Sequence, residues 1–243
     1  MFARGAAPRR AWLAHCSLIA ALALLAAVLP SRPALAAAAA AGSARARVIL
    51  VVGDSLSAEY GLARGCGWVA LLEQRLAREK IAAKVVNASI SGDTTSGGRS
   101  RLAALLAQHR PSHVIIELGG NDALRGLPLA MTEANLAAMA RAAKANGARV
   151  LVAGMQMPPN YGRRYTEDFA ALFVKVARSE GVALVPLLLK GVADGPNPLA
   201  LFQPDRIHPN EAAHPIMLAN VWPVLRPLLP KQGQRYGGGS AER

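Results

Sequence analysis

Four short segments of the chain carry residue types that acyl-transfer chemistry requires, and they lie at residues 53–56, 91–93, 119–122 and 205–208. Ser55 is a candidate nucleophile, because a serine hydroxyl attacks a carbonyl carbon once a base removes its proton. His208 is the candidate base. Asp205, three residues earlier, could hold the imidazole in the tautomer that faces the serine. Together the three residues predict nucleophilic hydrolysis of an acyl bond.

Three N–H groups near the candidate nucleophile could stabilise the negative charge that develops on the carbonyl oxygen. They are the backbone N–H groups of Ser55 and Gly92 and the side-chain amide of Asn121. Removing one such donor typically slows catalysis about 10²–10³-fold. Gly92 also allows a close approach between backbone and ligand. The sequence therefore predicts an oxyanion hole formed by Ser55, Gly92 and Asn121.

Each candidate residue also has a structural interpretation. A serine between a strand and a helix commonly caps the helix, a glycine commonly forms a turn, and an Asp–His pair can cap the helix that follows. Catalysis is favoured because the residues occur together. Each also lies after a predicted strand or in the last long loop, and ligands bind at the carboxyl ends of strands in parallel sheets.

Two further aspartates, Asp54 and Asp122, lie next to candidate catalytic residues, and we interpret them as side chains that fix the surrounding loops. No further His or Asp residues cluster at the spacing of metal ligands, so no metal or other cofactor is predicted. His109 and His113 are expected at the surface, and His214 is expected to be structural.

Strand and helix patterns alternate five times between residues 47 and 229. The apolar run at 47–52 is typical of a strand buried on both faces of a parallel sheet. Further strands are predicted at 84–87, 112–118, 149–153 and 182–186, and helices from 68 onwards and at 101–109, 131–146, 164–180 and 211–229. Thr132 is a plausible cap of one helix. The alternation predicts one three-layer α/β domain with a mainly parallel sheet at residues 46–230.

The first 36 residues have the features of a secretory signal peptide: early arginines, an apolar run at 11–29 and a small-x-small pattern at 34–36. We therefore expect a periplasmic or secreted protein. A membrane anchor is the alternative, because the apolar run is nearly long enough to span a bilayer. Residues 37–45 are predicted to be a flexible linker and residues 231–243 a disordered tail.

The formal net charge is +13, and removal of residues 1–36 takes away four arginines and no acid, which leaves +9. A basic surface could attract acyl-CoA, anionic phospholipid or nucleic acid. The basic residues are scattered and not interleaved with aromatic residues, so nucleic acid is not an expected partner. Without residues 1–36, Cys66 is the only cysteine, which excludes an intramolecular disulfide.

The segments 53–58, 86–94, 117–122, 160–165 and 205–210 resemble the SGNH hydrolases, also called the GDSL esterase/lipase family. The four letters correspond to Ser55, Gly92, Asn121 and His208. The resemblance runs from about residue 47 to residue 229 and is strongest to the branch of bacterial periplasmic thioesterases and lysophospholipases. The α/β-hydrolase fold instead requires Gly-x-Ser-x-Gly, whereas residues 53–57 read Gly-Asp-Ser-Leu-Ser.

This resemblance implies a flavodoxin-like fold, in which a five-stranded parallel sheet has helices on both faces. It implies a Ser55–His208–Asp205 triad and an oxyanion hole from Ser55, Gly92 and Asn121. The implied activity is hydrolysis of fatty acyl esters and thioesters, including acyl-CoA, lysophospholipids and aryl esters, without a cofactor.

The resemblance also implies a mobile loop over the acyl-binding groove, near residues 157–165. The residues expected to contact the substrate are Leu56, Met157, Pro158 and Tyr161. A monomer is expected, with transient contact with membrane lipid. The loop at 61–67, which contains Cys66 and extra glycines, departs from the family pattern beside the site.

Two alternatives remain open from the sequence. One is a carbohydrate O-deacetylase of the same superfamily, which would hydrolyse a small polar ester. Apolar residues expected near the site favour a fatty chain instead, namely Leu56, Leu124, Leu127, Met155 and Met157. The other is a non-enzymatic lipid-binding protein, and the presence of Ser55, His208 and Asp205 argues against it.

Overall fold

Strands and helices alternate along the chain in the computed structural model, which describes residues 47–195 and 197–229. The predicted signal peptide, linker and C-terminal tail lie outside the described residues. The strands are β1 (Arg47–Gly53), β2 (Ala83–Asn87), β3 (His113–Glu117), β4 (Arg149–Ala153) and β5 (Ala183–Val185). The α-helices are α1 (Trp68–Arg78), α2 (Thr95–His109), α3 (Gly120–Leu124), α4 (Leu129–Ala145), α5 (Arg163–Glu180) and α6 (His214–Leu225).

The five strands form one parallel sheet in the order β2-β1-β3-β4-β5. This is the doubly wound order of flavodoxin-like folds, and it confirms the predicted fold class. β1 lies between β2 and β3, and its register with β3 places Gly53 beside Glu117 at the carboxyl edge. The carboxyl ends of all five strands therefore meet at the same edge of the sheet.

Apolar side chains cover both faces of this sheet, which makes the domain three layers thick. Side chains alternate along β1, so that Leu50 and Val52 join one core cluster while Ile49 and Val51 join the other. The first cluster includes residues of α2, α4 and α5, and the second includes residues of α1 and α6. All four β1 side chains are fully buried, which explains the unbroken apolar run in the sequence.

Helix boundaries differ from the predicted ones at three places. α2 begins at Thr95, six residues before the predicted start, because the Thr94 hydroxyl accepts a hydrogen bond from the Gly97 N–H and caps the helix. α4 begins at Leu129, after Pro128 at the cap position, so Thr132 lies inside the helix and the prediction that it caps the helix is wrong. The predicted last helix is divided: α6 is flanked by the 3₁₀ turns Glu211–Ala213 and Arg226–Leu228.

Two histidines have structural roles inside the fold. His113 is only 3% exposed, so its predicted surface position is wrong. Its ring nitrogens lie 2.9 Å from the Ser112 hydroxyl and 3.0 Å from the Leu228 carbonyl, and burial lowers the pKa of its imidazole. His214 is buried in α6, where its Nδ1 accepts the Trp68 backbone N–H at 3.0 Å. The structural role expected of His214 is thus confirmed.

Within residues 47–195 and 197–229, the helices are all too short or too polar to cross a membrane.

Candidate active site

Ser55, His208 and Asp205 form a connected set of hydrogen bonds at the carboxyl edge of the sheet. The His208 Nε2 atom lies 3.0 Å from the Ser55 Oγ atom, and its Nδ1 atom lies 2.6 Å from the Asp205 Oδ2 atom. Ser55 follows β1, whereas His208 and Asp205 lie in the segment between β5 and α6. An imidazole that donates Nδ1–H to Asp205 leaves Nε2 free to accept the serine proton. The fold therefore brings the three predicted catalytic residues together.

Asp205 is held by the turn in which it lies. Its Oδ1 atom accepts the backbone N–H groups of Ile207 at 2.9 Å and His208 at 3.0 Å. The His208 backbone N–H makes the largest contribution to lowering the pKa of the Asp205 carboxyl to about 2. The carboxylate is thus ionised at neutral pH, as a partner that balances an imidazolium must be.

Tyr60 and Gln203 support His208, and neither was identified from the sequence. The Tyr60 ring lies against the His208 imidazole, with ring centres 4.3 Å apart. The Gln203 side-chain amide donates to the carbonyls of Tyr60 at 2.8 Å and Pro209 at 3.0 Å, and so joins the loop after β1 to the loop of His208. The contacts of Tyr60 with His208 and with Gln203 join segments far apart in the sequence, and no local pattern indicated them.

Two of the three predicted oxyanion donors are backbone groups without an internal partner. In the described ranges, neither the Ser55 N–H nor the Gly92 N–H has a hydrogen-bond acceptor. Gly92 has a φ of 79°, a left-handed conformation that favours glycine. The Arg125 guanidinium donates to the Gly92 carbonyl at 2.8 Å and so holds the peptide that follows the donor N–H.

The third predicted donor, Asn121, is oriented by Asp54. The Asn121 Nδ2 atom donates to Asp54 Oδ2 at 3.1 Å, which leaves the second amide hydrogen for a ligand. The Asp54 Oδ1 atom accepts the Leu56 N–H at 3.0 Å. Burial raises the pKa of Asp54 to about 6, against the lowering effect of these two donors. Asp54 therefore fixes both the turn of Ser55 and the amide of Asn121, as the sequence predicted for a loop-fixing residue.

Asp122 fixes the other side of the site. Its carboxylate accepts the Thr95 backbone N–H at 2.8 Å and the Thr95 hydroxyl at 2.5 Å. The residue lies in the short helix α3. Because Asn121 is in the same helix, the contact between Asp122 and α2 holds the Asn121 side chain in place.

The residues expected to contact substrate occupy very different environments. Leu56 is half-buried and packs against both core clusters. Met157 is only 6% exposed and belongs to the core, so it offers little surface to a ligand in this conformation. Pro158 is exposed, and Tyr161 is 38% exposed and stacks on Tyr165 with ring centres 6.3 Å apart. Pro158 and Tyr161 are thus the more accessible members of this set.

In the part of the chain that the structure describes, His, Cys, Asp and Glu side chains do not form any group of three or more that could hold a metal ion.

Comparison with known protein families gives one match across most of the domain. The family described as GDSL-like Lipase/Acylhydrolase matches residues 51–216. The matched range contains all the candidate catalytic and oxyanion residues.

Three characterised proteins are similar to this chain over most of their length. Esterase TesA of Pseudomonas aeruginosa is 55% identical over 186 residues, which cover 76% of this chain and 91% of TesA. The thioesterase 1/protease 1/lysophospholipase L1 of Escherichia coli K12 is 42% identical, with coverage of 77% and 87%. An arylesterase of Vibrio mimicus is 41% identical, with coverage of 72% and 86%.

Two solved structures have the same fold at substantial sequence identity. The crystal structure of TesA aligns with a TM-score of 0.73 and covers 75% of this chain and 100% of the TesA chain. The psychrotrophic esterase EstA from Pseudoalteromonas sp., in a structure inhibited by monoethylphosphonate, is 37% identical with a TM-score of 0.70. That alignment covers 74% of this chain and 97% of the EstA chain.

Proposed function

This chain belongs to the GDSL-like lipase/acylhydrolase family, and we propose that it hydrolyses fatty acyl esters and thioesters through a covalent intermediate on Ser55. It is a carboxylic ester hydrolase, like its esterase, thioesterase and arylesterase relatives. The main support for the proposed mechanism is the continuous hydrogen-bonded path from Ser55 through His208 to Asp205. Two unpartnered backbone N–H groups lie in the neighbouring loops.

The first step is acylation of the serine. His208 Nε2 accepts the Ser55 hydroxyl proton while Oγ attacks the acyl carbon, and the ionised Asp205 balances the imidazolium that forms. The N–H groups of Ser55 and Gly92 and the Asn121 amide hold the oxyanion. His208 then gives its proton to the leaving alcohol or thiol, and the acyl group remains on Ser55.

The second step releases the acid. A water molecule gives a proton to His208 Nε2 as its oxygen attacks the acyl carbon, and collapse of the oxyanion breaks the bond to Ser55 Oγ, which takes the proton back. A positioned base contributes roughly 10²–10⁴ in rate. An oxyanion donor contributes about 10²–10³. Apart from the substrate and this water molecule, both steps use only side chains and backbone groups of the described residues.

The exposed surface around Ser55 favours a substrate with a fatty acyl chain. Large apolar side chains are exposed in the segments that follow β1, β2, β3 and β4 and in the segment before α6: Tyr60, Ile90, Leu124, Tyr161, Leu199 and Ile207. These six are all but one of the large apolar side chains exposed among the described residues. Their concentration at the edge that carries Ser55 favours a long apolar substrate and transient contact with membrane lipid.

The cellular location and the oligomeric state are proposed from the sequence. We place the enzyme in the periplasm or outside the cell on the basis of residues 1–36, and we propose that it acts as a monomer. Its substrates are small-molecule esters.

Replacement of Ser55 tests the mechanism directly. Ser55→Ala should reduce the kcat for a p-nitrophenyl acyl ester by at least about 10³-fold, because Ser55 is the only hydroxyl among the described residues that is hydrogen-bonded to His208 Nε2. Circular dichroism and the unfolding midpoint should remain those of the wild type. The matched control is Ser179→Ala, at an exposed serine in α5. Full activity of Ser55→Ala would remove Ser55 from the mechanism.

A substrate panel tests the proposed substrate class. Rates should increase from acetyl to longer acyl esters, and acyl thioesters and lysophospholipids should be hydrolysed. Activity confined to acetyl esters or acetylated sugars would identify a deacetylase. If a folded wild-type protein reacted with neither these substrates nor a serine-reactive fluorophosphonate, a non-enzymatic lipid-binding protein would be the better description.

A further inference from the structure

Glu117 lies directly beneath the turn that carries Ser55. It is the last residue of β3, is 0% exposed, and pairs with Gly53 in the sheet. Its Oε2 atom accepts the Ser57 hydroxyl at 2.6 Å and the Asp54 backbone N–H at 3.3 Å. Both donors belong to the turn, one before and one after the candidate nucleophile.

The direction of these hydrogen bonds is fixed by a neighbouring tryptophan. The Trp68 Nε1–H group donates to the Ser57 hydroxyl oxygen at 3.1 Å. An indole N–H only donates, so the single hydroxyl proton of Ser57 is available for Glu117. The Glu117 Oε2 atom is therefore an acceptor in both of its contacts.

The same carboxyl explains why residue 53 is glycine. A Cβ atom on Gly53 would lie 2.6 Å from Glu117 Oε2 and 2.9 Å from the Ser57 side chain. Heavy atoms do not approach so closely without displacement. A side chain at position 53 would thus push the Glu117 carboxyl away from the turn.

The surroundings of Glu117 disfavour a negative charge. No Lys, Arg or His side chain in the described ranges forms an ion pair with it, and its buried Oε1 atom has no hydrogen-bond partner. An ionised oxygen in such a place carries a large desolvation cost. Burial raises the pKa of Glu117 well above its usual range, and the neighbouring charge of Asp54 raises it further.

Asp54 is the member of this pair that ionises first. Its carboxylate accepts from Leu56 N–H and the Asn121 amide, and the charge of His208 also favours its ionised form. Asp93 opposes this effect from the α2 side. Two buried carboxyls that interact do not both ionise readily. Once Asp54 carries its charge, Glu117 therefore retains its proton.

We propose that Glu117 is a neutral carboxylic acid at neutral pH and is the positioning residue for the Ser55 turn. As an acceptor it holds Asp54 N–H and Ser57 Oγ–H, and this fixes the Ser55 backbone N–H as an oxyanion donor. As a neutral group it adds no second negative charge beside Asp54. The positioning role depends on the proposed hydrolytic function, whereas the protonation state does not.

Infrared spectroscopy tests the protonation state. At pH 8, where exposed carboxyls and Asp54 are ionised, the wild type should show the C=O stretch of a protonated carboxylic acid, and Glu117→Gln should lack it. The Ser55→Ala protein should retain the band, because the charge on Glu117 does not depend on turnover. Absence of the band in the wild type, or its persistence in Glu117→Gln, would overturn the assignment.

Two variants of similar volume test the positioning role. Glu117→Gln keeps an acceptor oxygen and should keep a kcat near that of the wild type, whereas Glu117→Met has no oxygen and should lower kcat roughly 10²-fold through misplacement of the turn. KM should change little in either variant. Equal kcat values in folded Glu117→Met and wild type would overturn the positioning role, as would an equal loss in both variants.

The pH dependence of stability provides a readout even if Glu117→Met does not fold. A raised carboxyl pKa means that the native state binds more protons than the unfolded state above the ordinary glutamate pKa. The free energy of unfolding of the wild type, relative to that of Glu117→Gln, should therefore be highest below about pH 4.3 and should decrease as the pH rises. A difference that instead increases as the pH rises through about 4.3 would show an ionised Glu117.

Discussion

The surroundings of two aspartates at the site shift their pKa values in opposite directions. Asp205 is exposed and accepts two backbone N–H groups, and its pKa is lowered to about 2. Asp54 is buried, and its pKa is about 6. The contribution of Asp205 to stability is present above its ordinary pKa and is lost as the pH falls through about 2. Asp54 has the opposite effect. Its contribution to stability is present below its ordinary pKa of 3.8 and is lost as the pH rises through about 6.

Removal of the Asn121 side-chain amide tests the proposed oxyanion hole. Asn121→Ala should lower kcat about 10²–10³-fold with a smaller change in KM, because the donor acts mainly on the charge that develops in the transition state. The matched control is Asn146→Ala, at an exposed asparagine after α4 whose amide bonds the Ala142 carbonyl. Steady-state kinetics on one aryl ester measure both. An unchanged kcat in Asn121→Ala would exclude its amide as an oxyanion donor.

At the scale of elements, a buried polar network joins three helices around the site. The Asp122 carboxylate of α3 accepts from Thr95 at the start of α2, and the Asn135 amide of α4 donates to the Thr95 hydroxyl at 3.1 Å. Arg99 donates to the Asn135 side-chain oxygen at 3.0 Å. These contacts fix the end of α3 that carries Asn121. The network thus connects helix packing to the geometry of the oxyanion hole.

Deletion of the Thr95 hydroxyl should weaken this network. Thr95→Val leaves buried partners without hydrogen bonds, and we expect a loss of about 1–3 kcal/mol in the free energy of unfolding, together with a lower kcat. Urea unfolding and steady-state kinetics provide the two measurements. Thr132→Val is the matched control, because its hydroxyl lies 3.4 Å from Asp122 and makes the weaker contact. Equal stability of the Thr95→Val protein and the wild type would mean that the network contributes little.

For the whole molecule, the carboxyl edge combines exposed apolar side chains with cations. Arg64, Arg125, Arg163 and Arg206 lie in loops or at helix ends at this edge and have no carboxylate partner within the described ranges. The acids nearby are engaged internally: Glu59 accepts backbone N–H groups, Asp93 pairs with Arg101, and Asp205 bonds His208. An apolar edge with cations that lack a carboxylate partner among the described residues fits an anionic lipid surface.

Vesicle binding by the inactive Ser55→Ala protein tests this idea without turnover of the lipid. Binding should be stronger to vesicles that contain phosphatidylglycerol than to pure phosphatidylcholine, and it should weaken as salt increases. The double substitution Ile90→Ser and Ile207→Ser should reduce binding severalfold, because it removes two exposed apolar side chains. Val174→Ser, at an exposed valine of α5, is the control. Equal binding of all three proteins would exclude this edge as the contact surface.

The sequence alone determined the order of elements and the residues available for chemistry. Continuous apolar runs require strands buried on both faces, and their alternation with helical patterns requires a parallel sheet. Ser55, Gly92 and Asn121 had to lie at one edge, since each follows a strand of that sheet. These features depend on local pattern and on topology, so they could be predicted with little knowledge of packing.

Tertiary structure decided which side chains touch. Ser55 and His208 are 153 residues apart, and Ser57 and Glu117 are 60 apart, yet both pairs are hydrogen-bonded. Glu117 lies beneath the nucleophile turn only because the register of β1 and β3 places it beside Gly53. The contact between the Tyr60 and His208 rings and the burial of Met157 likewise arise from packing between distant segments. Strand register and side-chain burial depend on the whole core, and a local sequence pattern does not encode them.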